Sequence, residues 1–188
     1  MNIKDIIEKR RTIRKFSQEP VQTSQLKKYV ELARLAPSGA NLQPIKYKIV
    51  TDKKTVSEIF DCVRWAGYIA PEGNPKKGEE PTAYICVMAD TNISKTGHEV
   101  DMGAAVATLI LAAEADDVGS CWMQAIDYKK IPEILNLPEN LKLMCVVAMG
   151  KKAETPVYID KKDDIKYFKD ENGTLNVPKR TLEEVLVD

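Results

Sequence analysis

The chain has 188 residues, 44% hydrophobic and 30% charged, with 28 basic side chains against 28 acidic ones. At about 150 residues per domain this is one domain with room for an extension, long enough to bury roughly 70% of its unfolded surface. The neutral balance excludes a globally basic nucleic-acid binder, the apolar fraction excludes wholesale disorder, and no apolar run reaches the ~18 residues of a membrane span. Met1 is followed by Asn2, Lys4, Asp5 and Glu8, which is no signal-peptide pattern, so a cytoplasmic location without a membrane partner is expected.

Helix and strand signals alternate. Residues 2–10 set Ile3, Ile6 and Ile7 on one face of a short helix that runs into Lys9-Arg-Arg-Thr-Ile-Arg-Lys15. Thr23 or Ser24 can cap a second helix, with Leu26, Val30 and Ala33 as its stripe, ending before Pro37. Ile45–Val50 alternates with period two, a strand, and a helix is expected over 54–64. Residues 71–78 hold two prolines and two glycines, a surface loop. Ala83–Ala89 reads as an apolar strand. Glu99–Asp116 keeps Met102, Val106, Leu109, Ile110 and Ala113 at helical spacing, with alanines widening the apolar face, and predicts a central buried helix. A strand over Ser120–Ile126, a helix starting near Asp127 and a strand over Leu141–Met149 follow. This is an α+β pattern with a mixed or antiparallel sheet flanked by helices. From Lys151 onward, 17 of 38 residues are charged, too many for an independent core. That segment reads as an extension laid over another surface, with a turn at Asn172-Gly173 and a small helix opened by the capping box Thr181-Leu-Glu-Glu184.

The chemistry available to side chains is narrow. The four cysteines, Cys62, Cys86, Cys121 and Cys145, are spaced 24, 35 and 24 apart, which is no metal-ligand spacing, so no metal is expected. Cys86 and Cys145 sit in apolar runs and read as core. His98 is the one histidine; at the start of a helix it is expected to be solvated. An enzyme built this way leaves the chemistry to a cofactor, with no catalytic side chain.

Four stretches stand out. Lys9–Lys15 has five cations in seven residues and no acid, which suits a phosphate or a solvated helix end. As a nucleic-acid patch it lacks interleaved aromatics. Ala36-Pro-Ser-Gly-Ala-Asn-Leu-Gln-Pro44 is either a helix stop or a rigid loop aiming amide and hydroxyl groups at a polar heterocycle. Val118-Gly-Ser-Cys-Trp-Met123 offers backbone N–H groups for close approach, and Met149-Gly-Lys-Lys152 ends an apolar run in two cations. No glycine-rich dinucleotide or P-loop fingerprint is present.

In this order, Arg10-Arg-Thr-Ile-Arg-Lys-Phe16, Ala33-Arg-Leu-Ala-Pro-Ser-Gly-Ala-Asn-Leu-Gln-Pro44, Gly119-Ser-Cys-Trp122 and Val147-Ala-Met-Gly150 give a chain that resembles the nitroreductase family of FMN-dependent oxidoreductases from about residue 3 to residue 152. The tail looks like one branch of small members. The resemblance implies an FMN-binding domain over 1–152, an intertwined homodimer with FMN sites shared between subunits, and an extension over 153–188 wrapping the partner. It matches Arg10, Arg11 and Thr12 to the phosphate and ribityl contacts, and Arg14 to the pyrimidine edge of the ring. Thr12 stands where the family usually has Ser. Pro37, Ser38, Gly39 and Asn41 match the loop that the other subunit lays on the flavin. Gly119, Ser120 and Cys121 match the segment near flavin N5, and Gly150, Lys151 and Lys152 the return to the phosphate. Arg64, Trp65 and Tyr68 fall where an acceptor is often covered. The implied reaction is ping-pong: NAD(P)H reduces FMN and leaves, and a small electron-poor acceptor such as a nitroaromatic or quinone takes its place. A flavin-binding storage or sensor protein of the same fold is the alternative.

Overall fold

The runs 83–89 and 143–149 are too continuously apolar for strands with a wet face, because only a strand covered on both sides buries every side chain. In the computed structural model, which describes residues 2–161 and 163–187, both lie at the centre of one sheet. The elements follow in the order α1 (Ile3–Lys9), α2 (Thr23–Ala33), β1 (Ile45–Val50), α3 (Lys53–Phe60), β2 (Ala83–Asp90), α4 (His98–Ala115), β3 (Val118–Met123), α5 (Lys130–Leu135) and β4 (Leu141–Lys151). The sheet runs β1-β2-β4-β3 with every pairing antiparallel, the α+β architecture expected.

Side chains alternate across β2. Ala83, Ile85 and Val87 pack under α2 and α4 with Leu26, Tyr29, Val106 and Leu109. Tyr84, Cys86 and Met88 face α3 and α5 with Val56, Ile59, Ile131 and Leu135. On β4, a bulge opposite Val87 and Met88 skips Met144, so Leu143 and Val146 share a face although three positions apart.

The segment that positions the site is Thr12–Ser17, which runs beside the sheet without being a named strand. Thr12 bridges Ser120 in parallel and Phe16 bridges Lys152 antiparallel, and the N–H groups of Ile13 and Ser17 donate to the carbonyls of Ser120 and Lys151, each at 2.9 Å. Gly119 and Gly150 are direct partners across β3 and β4. A Cβ on Gly119 would stand 2.9 Å from Ile13, and one on Gly150 would stand 2.7 Å from Phe16. These glycines make the trough that Ile13 and Phe16 fill.

Several local expectations are corrected. Gln22, not Thr23 or Ser24, is the residue before α2, and its side chain makes no cap. The third helix stops at Phe60, because 61–64 are drawn off to meet the end of β3: Val63 bridges Ile126, and Asp127 N–H donates to the Cys62 carbonyl at 2.8 Å. β3 starts at Val118 and ends at Met123, and α5 starts at Lys130, since the Asp127 carboxylate accepts from the N–H groups of Lys129 and Lys130 and holds a turn there. His98 is buried rather than solvated, with Nε2 2.9 Å from the Ser94 carbonyl, after Gly97 turns the chain at φ 78°. α4 is buried on one face only: Val100 and Ala107 are exposed, and Gly103, Ala104, Ile110 and Leu111 partly so.

The tail builds a small sheet of its own, β5 (Val157–Asp160), β6 (Phe168–Lys169) and β7 (Leu175–Lys179), in the order β5-β7-β6. Gly173, at φ 77°, sits in the Asn172-Gly173 turn between β6 and β7, and α6 (Leu182–Val185) starts with the Thr181–Glu184 capping box.

An alanine at Gly119 or at Gly150 forces Ile13 or Phe16 out of the trough. Each substitution is expected to lower stability by about 1–3 kcal/mol through overpacking, more than the ~0.4–1 kcal/mol an alanine gains by restricting the unfolded chain. Urea unfolding with an unchanged slope and a lower midpoint checks this; a midpoint at or above wild type contradicts it.

Candidate functional site

The chain leaves α1 at Arg10 and turns into the trough segment, and this turn sorts the cations. Arg11 is buried: its guanidinium donates back to the carbonyls of Glu8 and Arg10, and the Tyr158 ring lies 4.8 Å from it. Burial first, then neighbouring Arg10, hold its pKa below the ordinary arginine value. The Arg14 guanidinium lies 4.6 Å from the Tyr167 ring, and Lys15 pairs with Glu79 at 2.9 Å. Arg10 is different. Among the described residues it has neither an acid nor an aromatic ring as a partner, and it lines a groove of about 500 Å³ together with Thr12, Ser120, Ala107, Ile110 and Trp122. One cation, two hydroxyl residues and an apolar wall suit an anionic group attached to a flat or aliphatic body.

The loop after α2 is built separately. Asp101, buried on α4, accepts from Ser38 Oγ at 2.6 Å through Oδ2 and from Gly39 N–H at 2.9 Å through Oδ1. Ser38 Oγ in turn accepts from Gln43 N–H at 2.9 Å. Ala40, Asn41 and Gln43 all have positive φ, 49°, 56° and 55°, and a left-handed conformation costs a residue with a Cβ on the order of 1 kcal/mol. Three such residues in four positions make a shaped loop, not a simple helix stop.

The two parts do not meet within one chain. None of Pro37, Ser38, Gly39 or Asn41 lines the Arg10 groove. Asp101 and Ile110 are nine residues apart on α4, roughly 14 Å along its axis. The other candidates are placed as follows. Ser120 reaches the groove, Gly119 and Gly150 serve the trough, and Lys151 gives its carbonyl to Ser17. Lys152 is not a free cation: it pairs with buried Glu114 at 2.7 Å and with Asp117 at 3.0 Å. Its hydrogen bond is the main reason the Asp117 carboxyl is held below the usual carboxylate range. The Cys121 side chain packs in the core beside Ile13 and Tyr84. Trp65 is buried, its ring 5.6 Å from that of Phe60, whereas Arg64 and Tyr68 are exposed.

Sequence reasoning missed Asp101, Glu114, Glu154, Tyr158 and Tyr167. The two acids of α4 had a signal, since both fall on its otherwise apolar stripe with Met102, Ala105 and Ala113. The tail residues had none, because their partners in the basic segment lie 139 or more positions away. Among the described residues no helix is long and apolar enough to cross a membrane, and no group of three His, Cys, Asp or Glu side chains could hold a metal ion.

The family model described as "Nitroreductase family" matches residues 7–151. A protein of Archaeoglobus fulgidus with the provisional name NADH dehydrogenase/NAD(P)H nitroreductase is 29% identical over 148 residues, covering 75% of this chain and 80% of that one. The FMN reductase [NAD(P)H] of Bacillus subtilis is 26% identical over 166 residues, covering 77% and 63%. A solved structure from Desulfovibrio desulfuricans, provisionally a nitroreductase and described as in complex with FMN, superposes with a TM-score of 0.72 over 100% of this chain and 96% of that one. At 24% identity that likeness establishes the fold.

The cysteines belong to the core, and the expectation for them follows from burial. It pushes the thiols of Cys86, Cys121 and Cys145 up to about 12. In the unfolded chain a thiol ionises near 8.5, so above that pH the unfolded state loses protons that the folded state keeps. Stability should therefore fall as pH rises from about 9 to 12, with a shallower fall in Cys121→Ala, read from urea midpoints across that range. The native protein should also resist thiol reagents at pH 8 until it is unfolded. Rapid labelling of Cys121 in the native state would contradict the buried placement.

Proposed function

The chain belongs to the nitroreductase family, and we propose that it is an FMN-dependent oxidoreductase passing electrons from NAD(P)H to a small electron-poor acceptor, a nitroaromatic, a quinone or similar. The observation that carries this reading is Arg10, a cation without an acidic partner among the described residues, beside Thr12 and Ser120 in an apolar-walled groove. A phosphate monoester carries close to two negative charges near neutral pH, and Arg10 with the Thr12 hydroxyl opposes and binds it. Arg14, its guanidinium fixed against Tyr167, is the cation available to stabilise negative charge at the pyrimidine edge of the ring. FMN, when bound, supplies hydride acceptance and delivery at N5, so no side-chain nucleophile is required. Lys152 stays with Glu114 and leaves the phosphate to Arg10. The Bacillus subtilis relative, by its name, works on FMN with NAD(P)H, which supports the same cofactors here.

The protein works as a homodimer in the cytoplasm, in this reading, with Ser38, Gly39 and Asn41 of one protomer laid against the flavin held by Arg10 and Thr12 of the other. The separation of loop and groove along α4 supports it. So does the apolar surface left open on α1 and α4, where Ile3, Ile7 and Val100 are 59%, 54% and 77% exposed. The exposed Leu182, Val185 and Leu186 at the end of the extension suit a wrap over the partner.

Purified protein is expected to be yellow, to release FMN on heating, and to oxidise NADH or NADPH when a nitroaromatic or quinone is added. Release of FAD, or no flavin after reconstitution, overturns the proposal; bound FMN without turnover leaves the storage or sensor role.

Sharing of the site is tested with two inactive parents, Arg10→Ala and Ser38→Ala/Asn41→Ala, co-expressed with different tags. In the mixed dimer one site collects both lesions and the other receives none. One flavin per dimer and roughly half the wild-type rate are expected. A mixed dimer as inactive as its parents places each site within a single chain.

A further inference from the structure

Three side chains from the extension converge on the basic segment of their own chain. Glu154 Oε1 accepts hydrogen bonds from the backbone N–H of Arg14 at 2.5 Å and of Lys15 at 3.1 Å. The rings of Tyr158 and Tyr167 stack over Arg11 and Arg14. Tyr167 is itself backed by Tyr68, ring centroid to ring centroid 4.9 Å, and its hydroxyl accepts from Tyr68 N–H at 3.4 Å. The extension also enters this contact through the backbone, Ala153 N–H donating to the Lys15 carbonyl at 2.9 Å.

The inner side of the segment is satisfied by the sheet, through Ile13 and Ser17. Its outer side is satisfied by Glu154, whose charge makes these hydrogen bonds roughly twice as strong as neutral ones. A guanidinium stacked on an aromatic face gains attraction and loses freedom of rotation. Arg11 and Arg14, so fixed, bracket Thr12 and leave Arg10 as the cation that turns into the groove.

We propose that Glu154, Tyr158 and Tyr167 are positioning residues for the cofactor's phosphate: acting through Arg11, Arg14 and the backbone of 14–15, they preorganise Arg10 and Thr12. None of the three lines the groove, so each acts through another residue. Preorganisation raises affinity by removing the ordering cost that binding would otherwise carry. The coupling is reciprocal, so FMN in the groove must also hold the extension down. The inference rests on the FMN reading above.

The test compares wild type, Tyr158→Leu/Tyr167→Leu and Tyr158→Phe/Tyr167→Phe as full-length apoproteins titrated with FMN. Phenylalanine keeps the stacked face, and leucine removes it. The leucine pair should bind FMN roughly tenfold more weakly, a size within reach of lost cation–π stacking, and the phenylalanine pair as wild type does. Limited trypsin digestion reads the reciprocal effect: saturating FMN should slow cleavage after exposed Lys166 in wild type, and much less in the leucine pair. Circular dichroism separates lost binding from misfolding. If the leucine pair does not fold, Glu154→Gln, which keeps one carbonyl acceptor and removes the charge, carries the same two measurements with the same expected direction. Wild type that binds FMN while the folded variant binds as tightly, or an extension cut equally fast with and without FMN, overturns the inference alone. Wild type that binds no flavin overturns the cofactor reading and this inference with it.

Discussion

Two glycines facing each other across β3 and β4 set the geometry on which the candidate site depends. Because neither Gly119 nor Gly150 carries a side chain, the chain from Thr12 to Ser17 lies close against the sheet, with Ile13 and Phe16 filling the gap. The two apolar positions are three apart, so the segment departs from strand alternation and both residues between them turn the other way. With Ile13 and Phe16 turned in, Arg14 and Lys15 turn out toward the extension and Glu79, and Thr12 reaches Ser120 at the rim of the groove. A packing constraint between apolar groups thus decides which polar groups can reach a ligand.

The second constraint is electrostatic. Zero net charge does not make the cations interchangeable, since most near the site have a partner that fixes where they point. Arg11 and Arg14 are stacked, Lys15 is paired, and Lys152 is held by Glu114, an acid only 2% exposed. A buried carboxylate left alone would cost several kcal/mol, so Glu114 and Lys152 hold one another in place. Their pair ties the end of β4 to the end of α4. It also takes Lys152 out of the pair of cations that the Met149–Lys152 motif displays in the sequence.

How much of this was legible in the sequence depends on whether the cause was local. β1, β2, α4 and β4 follow from periodicity and from apolar runs, and their observed bounds lie within two residues of the expected ones. The glycines of the two late motifs are visible in the sequence, Gly119 as room for close approach to a ligand and Gly150 as the lead into two cations, but their packing against Ile13 and Phe16 more than 100 positions earlier is not. The end of α3 failed for the same reason, since Cys62 and Val63 continue an apolar helical pattern until a bridge to Ile126 draws them away. The burial of His98 follows from a turn at Gly97 that composition does not announce. The charge of the extension is plain in its composition, yet its parallel pairing of β5 with β7 and its tyrosines over arginines are contacts no window of sequence contains.

α4 links these observations into one device. Asp101 near its start holds the strained loop at Ser38 and Gly39, and Glu114 near its end holds Lys152. Between them its open side presents Ala107, Ile110 and Leu111 to the groove. The two acids are thirteen residues apart, roughly 20 Å of helix, and a straight packed helix does not change that length. A loop held at one end and an arginine groove toward the other cannot close on one small ligand by bending α4. They can do so by placing a second α4 alongside, antiparallel about a twofold axis, so that each loop faces the other chain's groove. The apolar stripe on the open side of the helix is the surface such a pairing would bury. The open stripe, where a fully buried central helix was expected, is therefore the face on which the proposed two-chain site would rest.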